Sequence, residues 1–142
     1  MKKIIVLLIS VLLLAGCSAK KEVSCVYTED GYESTIVFVG EEDEVHSSKE
    51  TVKLIYEFFD ASEVGDKDQI KEQIESSYAG IDGVKVSANI SGEEYLVITM
   101  EIDYEKISKE DLESFGVSSS GPISFENMIS DYESYGYTCT VK

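Results

Sequence analysis

Apolar side chains recur along this chain with two different periods, and the change from one to the other marks out the predicted elements. Between Tyr95 and Tyr104, Leu96, Ile98, Met100 and Ile102 fall on one side and Tyr95, Val97 and Thr99 on the other. That alternation belongs to a strand with one face on a core. The segment "VKVSANI", Val84 to Ile90, precedes it across Ser91, Gly92 and Glu93, and the two predict a hairpin. Nearer the start, "VSCVYTE" (Val23 to Glu29) and "YESTIVFVG" (Tyr32 to Gly40) predict another around Asp30-Gly31. The acidic run Glu41 to Glu44 makes the next turn. Val45 to Asp60 fits either a long strand or a helix from Lys49. Thr51, Val52, Ile55, Tyr56, Phe58 and Phe59 favour the strand.

The period lengthens to three and four in three places. Ile70, Ile74 and Tyr78 share one face of a helix that Asp66 caps, Asp68 supports at its N-terminal dipole and Gly80 ends. Ser108 with Asp111 opens a short helix through Phe115. Ser124 caps a last helix carrying Phe125, Met128, Ile129 and Tyr132, and Gly136 stops it before a closing strand, "YTCTV", Tyr137 to Val141. The order predicts an α+β domain: a largely antiparallel sheet of about six strands with two or three helices packed on one face.

The first residues follow another rule. Lys2 and Lys3 precede an apolar run from Ile4 to Leu14, broken only by Ser10, and then come the small residues Ala15 and Gly16. About 11 apolar residues make a helix of roughly 16 Å, about half a bilayer core, so residues 1–16 are expected to be a signal peptide and not a span. Leu14-Ala15-Gly16-Cys17 resembles the lipobox of bacterial lipoproteins. The resemblance implies cleavage between Gly16 and Cys17 and a diacylglyceryl group on the Cys17 thiol. The alternative is ordinary signal cleavage with Cys17 left as a free thiol. Two acyl chains would hold the protein where one binds only marginally. Residues 17–22 are then the lipidated cysteine and a short tether, and 23–142 a single globular domain. Lys20 and Lys21 would lie against anionic headgroups or simply in solvent. The expected location is the extracytoplasmic face of the cell membrane, or the outer membrane where the source has two.

Charge narrows the partners. The chain carries −16, and losing Lys2 and Lys3 leaves 10 basic residues against 28 acidic ones, or −18. Every basic residue is a scattered lysine, which excludes nucleic acid as a partner and favours cations or basic proteins.

Several pieces together resemble the YehR family of small bacterial lipoproteins: "YAGIDGV" (Tyr78 to Val84), "ITMEIDY" (Ile98 to Tyr104) and "ISFENMISDYESYGYTCTVK" (Ile123 to Lys142), in that order behind the lipobox. The resemblance implies a lipid-anchored α+β domain of the cell envelope and carries over no catalytic residues.

Once Cys17 is assigned to lipid, Cys25 in the first strand and Cys139 in the last remain. In an exported protein they read as a single disulfide, or as two buried thiols acting as small hydrophobes. No C-x-x-C spacing suggests redox chemistry. His46 is the only histidine and is expected on the surface, so a histidine metal site or triad has little to rest on. The acids of Glu41 to Glu44 lack the glycine turn of a calcium loop and read as a solvated turn, with weak cation binding as the alternative. Tyr78, Phe125 and Tyr132 sit at core spacing, whereas "YESYGY", Tyr132 to Tyr137, is the best candidate for exposed aromatics. No catalytic residue, metal site or cofactor is implied. The expectation is a non-enzymatic, membrane-anchored interaction domain with an envelope protein as partner. Its alternatives are a small-ligand or cation-binding lipoprotein and a carboxylate-dependent cell-wall enzyme.

Overall fold

The computed structural model describes residues 19–58, 66–92, 94–118 and 120–142. The signal sequence, Gly16 and Cys17 lie outside the described residues. Six strands form one antiparallel sheet in the order β4-β5-β3-β2-β1-β6. They are β1 (Lys20–Glu29), β2 (Tyr32–Glu41), β3 (Glu44–Ile55), β4 (Val84–Ser91), β5 (Tyr95–Asp103) and β6 (Thr138–Val141). Three helices, α1 (Lys67–Ser77), α2 (Lys109–Ser114) and α3 (Phe125–Ser134), cover one face. This is the α+β architecture that the two hydrophobic periods predict.

The register explains which residues reach the core. One row across the sheet runs Val86, Met100, Glu50, Ile36, Cys25 and Cys139. The next runs Val84, Ile102, Ser48, Phe38, Val23 and Val141. Both rows point to the helices. The opposite face carries residues such as Lys49, Lys53, Glu33 and Glu101, whose lysine–glutamate pairs suit a solvated surface. Beneath α3, Phe125 and Met128 pack on Val23, Cys25, Ile36, Phe38 and Val45. Leu112 of α2 packs with Val84, Ile102 and Ile107, and Ile70 of α1 with Ala88 and Leu96.

The helices start where the caps stand. Asp66 and Gln69 form a reciprocal capping box at α1, while the Ser108 and Ser124 hydroxyls accept from the Asp111 and Asn127 amides. Cys25 and Cys139 face each other across β1 and β6 and are joined as a disulfide, S–S 2.02 Å.

Three boundaries differ from the sequence reading. β1 begins at Lys20, so Lys20 to Glu22 belong to the sheet and not to the tether of residues 17–22. Pairing with Glu41, Gly40 and Val39 recruits them, Lys21 lies over the Phe125 ring at 4.5 Å, and Glu22 binds Lys142 at 2.8 Å. The long strand expected through Asp60 ends at Ile55. Its last partner is Tyr95, and Tyr56–Phe58 turn as a short 3-10 helix where no neighbouring strand continues. Phe59 and Asp60 lie outside the described residues. Finally, the acidic turn is not merely solvated. The Phe125 amide donates to the Asp43 carbonyl at 2.9 Å and the Glu126 amide to the Asp43 carboxylate at 3.3 Å, so the turn docks on the N-terminus of α3. Gly40 permits that approach, since a Cβ there would stand 1.8 Å from the Glu44 carbonyl oxygen.

Candidate functional site

On that one face the helices are divided between the two edges of the sheet. α1 packs on β4 at one edge, and α3 on β1 and β6 at the other. Six strands at about 4.8 Å spacing span roughly 24 Å, more than two helices about 10 Å wide can cover. The central strand β3 therefore lies beneath a gap bridged by the six-residue α2 and the chain that follows it. A cavity of about 800 Å³ occupies that gap.

Glu50 lies in its wall. On the inward face of β3 its row neighbours are Ile36 and Met100, both of which also line the cavity. The fully buried Ser34 hydroxyl donates to its carboxylate at 3.0 Å. Lysines pair with Glu22, Glu33, Glu101 and Asp103, and Glu50 is in none of these pairs. The carboxylate is half-buried and faces the cavity. Its presence in an otherwise apolar row sets this position apart from the rest of the core.

Tyrosines surround it. Tyr104, just beyond β5, shares a 2.9 Å hydrogen bond with the Ser48 hydroxyl, one row from Glu50. Met128, Asp131, Tyr132 and Tyr135 of α3 and its C-cap line the cavity at three- and four-residue spacing. The Tyr132 ring stands edge-on to Phe38 at 5.3 Å and to Tyr137 at 4.9 Å. Burial pushes the Tyr132 phenol well above the ordinary tyrosine range, and the negative field of Glu50 adds to the effect. Tyr104 is raised in the same direction, again first by burial, with Ser48 opposing. The site is thus a pocket with one carboxylate in its wall, a second, Asp131, on α3, and several aromatic rings.

The sequence pointed at some of this wall and missed the rest. Of the "YESYGY" aromatics expected to be exposed, only Tyr135 is freely so at 75%, and Tyr132, Tyr135 and Tyr137 together line a cavity. Phe125 is core, as its spacing predicted, while Tyr78 is partly buried and stacks on Phe115 at 5.9 Å. His46 is only partly exposed and lines a separate small cavity of about 270 Å³ beside Glu44 and Glu105. Among the described residues no group of three or more histidine, cysteine or acidic side chains could hold a metal ion. In the sequence Glu50 stands among 28 acids. Its signal was the alternation Ser48, Glu50, Val52, Leu54, which becomes an inward row only when the partners of β3 are known.

Residues 22–138 match the family model described as a protein of unknown function, DUF1307. The chain belongs to this family. Residues 1–18 match the prokaryotic membrane lipoprotein lipid attachment site, and Cys17 is the one cysteine of that segment. A relative from Listeria monocytogenes, the uncharacterized lipoprotein Lmo0207, is 27% identical over 141 residues, covering 94% of this chain and 91% of that one. The NMR structure of the YehR protein of E. coli shares the fold at TM-score 0.68 and 20% identity, over 87% of this chain and 93% of that one. An NMR structure from Streptococcus pneumoniae TIGR4 matches at TM-score 0.54 and 16% identity, over 86% and 84%. This DUF1307 protein is therefore a membrane-anchored lipoprotein, and the resemblance to the YehR family read from its motifs holds.

Proposed function

We propose that the domain holds a small ligand at the extracytoplasmic face of the membrane, in the cavity between the sheet, helix α3 and the residues that follow α2. The observation that carries this reading is the pairing of an 800 Å³ cavity with the carboxylate of Glu50 in its wall. That size falls within the range of small-molecule sites, which combine apolar walls with a few placed polar groups. Ile36, Met100 and Met128 supply such walls, and Glu50, Ser48 and Tyr104 supply the polar groups. The sequence alone favoured an interaction domain, which calls for a flat docking surface; a recess with an unpaired charge favours a ligand. The role is binding and not catalysis, and purified cell wall should not be hydrolysed.

The test is a fragment screen by NMR on the labelled mature lipoprotein, Cys17 to Lys142, in non-ionic detergent. Binders should shift resonances of Ile36, Met100, Tyr104 and Met128 together. A chemically diverse library that perturbs none of them at millimolar concentration would refute a ligand site there. Brief proteolysis of intact cells, which should remove the domain, tests the face of the membrane.

A further inference from the structure

We infer that the ligand of this cavity is an organic cation, a primary or quaternary ammonium group seated between the Glu50 carboxylate and the faces of the surrounding tyrosines. The inference rests on the ligand-binding reading above and adds to it the chemical class of what is bound.

Charge comes first. Among the described residues lining the cavity, Glu50 and Asp131 are ionisable acids and none is a lysine or histidine. An anion would meet two carboxylates without a counter-charge, and a neutral ligand would leave Glu50 partly desolvated and unpaired. A cation supplies a counter-charge for a half-buried carboxylate that accepts from the Ser34 hydroxyl and belongs to none of the lysine–carboxylate pairs described above. The net charge of the chain acts in the same direction, because an acidic protein concentrates cations around itself before any contact forms.

The aromatic groups decide which kind of cation. Tyr104, Tyr132, Tyr135 and Tyr137 all line the cavity, and ring faces attract ammonium groups through their quadrupole, an arrangement known from aromatic cages. A metal ion is a poor fit, since it needs several convergent oxygen ligands. No cluster of three acidic, histidine or cysteine side chains is present among the described residues, and 800 Å³ far exceeds a single ion. An ammonium group carried on a larger organic body matches both the charge and the volume.

The experiment uses three probes of one shape on the mature lipoprotein in non-ionic detergent: choline, its neutral carbon isostere dimethylbutanol, and dimethylbutanoate, the matching anion. NMR titration should show choline shifting the cavity resonances with at least about tenfold higher affinity than either isostere. Glu50→Gln keeps an acceptor for Ser34 and removes the charge; it should weaken choline about tenfold and leave dimethylbutanol unchanged. Tyr132→Phe keeps the ring and should stay within about twofold of wild type, which separates a ring contact from a hydroxyl contact. Far-UV circular dichroism melts of each variant establish that it is folded, and the three-probe comparison on wild type needs no variant. If the isosteres bind as well as choline, or library fragments fill the cavity with no preference for cations, the cation inference fails while the ligand site stands. If neither probes nor library bind, both fail.

Discussion

Reducing the Cys25–Cys139 disulfide should cost the fold a large part of its stability, and the chain separation sets the scale. The two residues are 114 apart, so the bond closes nearly the whole domain into one loop. In the chain-entropy model a loop of that length removes about 16 cal/mol/K from the unfolded state, or about 4.8 kcal/mol at 25 °C. Domains of ordinary stability have only about 5–15 kcal/mol in total. A domain of roughly 120 residues unfolds with about 0.25 kcal/mol/K, so the melting temperature should fall by about 15–20 °C. The assay is urea denaturation followed by circular dichroism, oxidised against reduced, with a thiol count to verify reduction. Reduction is preferable to substitution because Cys25 is fully buried and a smaller side chain would add a cavity cost. β6 is only four residues long and pairs with β1 alone. A loss under about 1 kcal/mol with both thiols free would refute the loop argument. If amide exchange then accelerates only in β1 and β6, the bond acts locally, fastening an edge strand. Tyr137 immediately precedes β6 and lines the cavity, so reduction should also weaken any ligand held there.

Other outcomes follow from single features. Gly40→Ala should destabilise by at least about 2 kcal/mol in urea, because its Cβ would collide with the Glu44 carbonyl and prise the turn from α3; a neutral effect would mean that this approach is not required. Stability should fall at alkaline pH. Tyr104 and Tyr132 titrate above the ordinary range in the fold, whereas in the unfolded chain they ionise near about 10, so above that pH the unfolded state holds fewer protons and gains. Their contribution is whole below about pH 10 and declines above it, and a urea midpoint that stays level to about pH 11 would contradict it. Glu50→Gln should leave stability within about 1 kcal/mol of wild type, since the amide keeps an acceptor for the Ser34 hydroxyl; a larger loss would identify the carboxylate as structural. Cys17→Ala should move the protein from the membrane fraction to the soluble or medium fraction, and unchanged membrane partition would overturn lipidation at Cys17.

The sequence by itself determined what depends on neighbours along the chain. The alternation of Leu96, Ile98, Met100 and Ile102 specifies a strand and its inward side, because successive side chains on an extended backbone must point to opposite faces. Asp66, Ser108 and Ser124 mark helix starts because a cap bonds amides two or three residues away. The signal and the lipobox were legible for the same reason, being read by machinery that meets them as a linear stretch. What depends on partners remote in the chain was decided only by the tertiary structure. Lys20 to Glu22 are extended because Val39, Gly40 and Glu41 pair with them, and β3 ends where its neighbours end. Asp43 binds α3 across more than eighty residues. The candidate site belongs to this second kind. Glu50 is one of 28 acids until β2 and β5 place Ile36 and Met100 beside it, and Tyr132 reads as core until α3 is seen to border a cavity. A cavity is a gap between elements, set by how three short helices cover a wider sheet, and no local pattern of residues records its position.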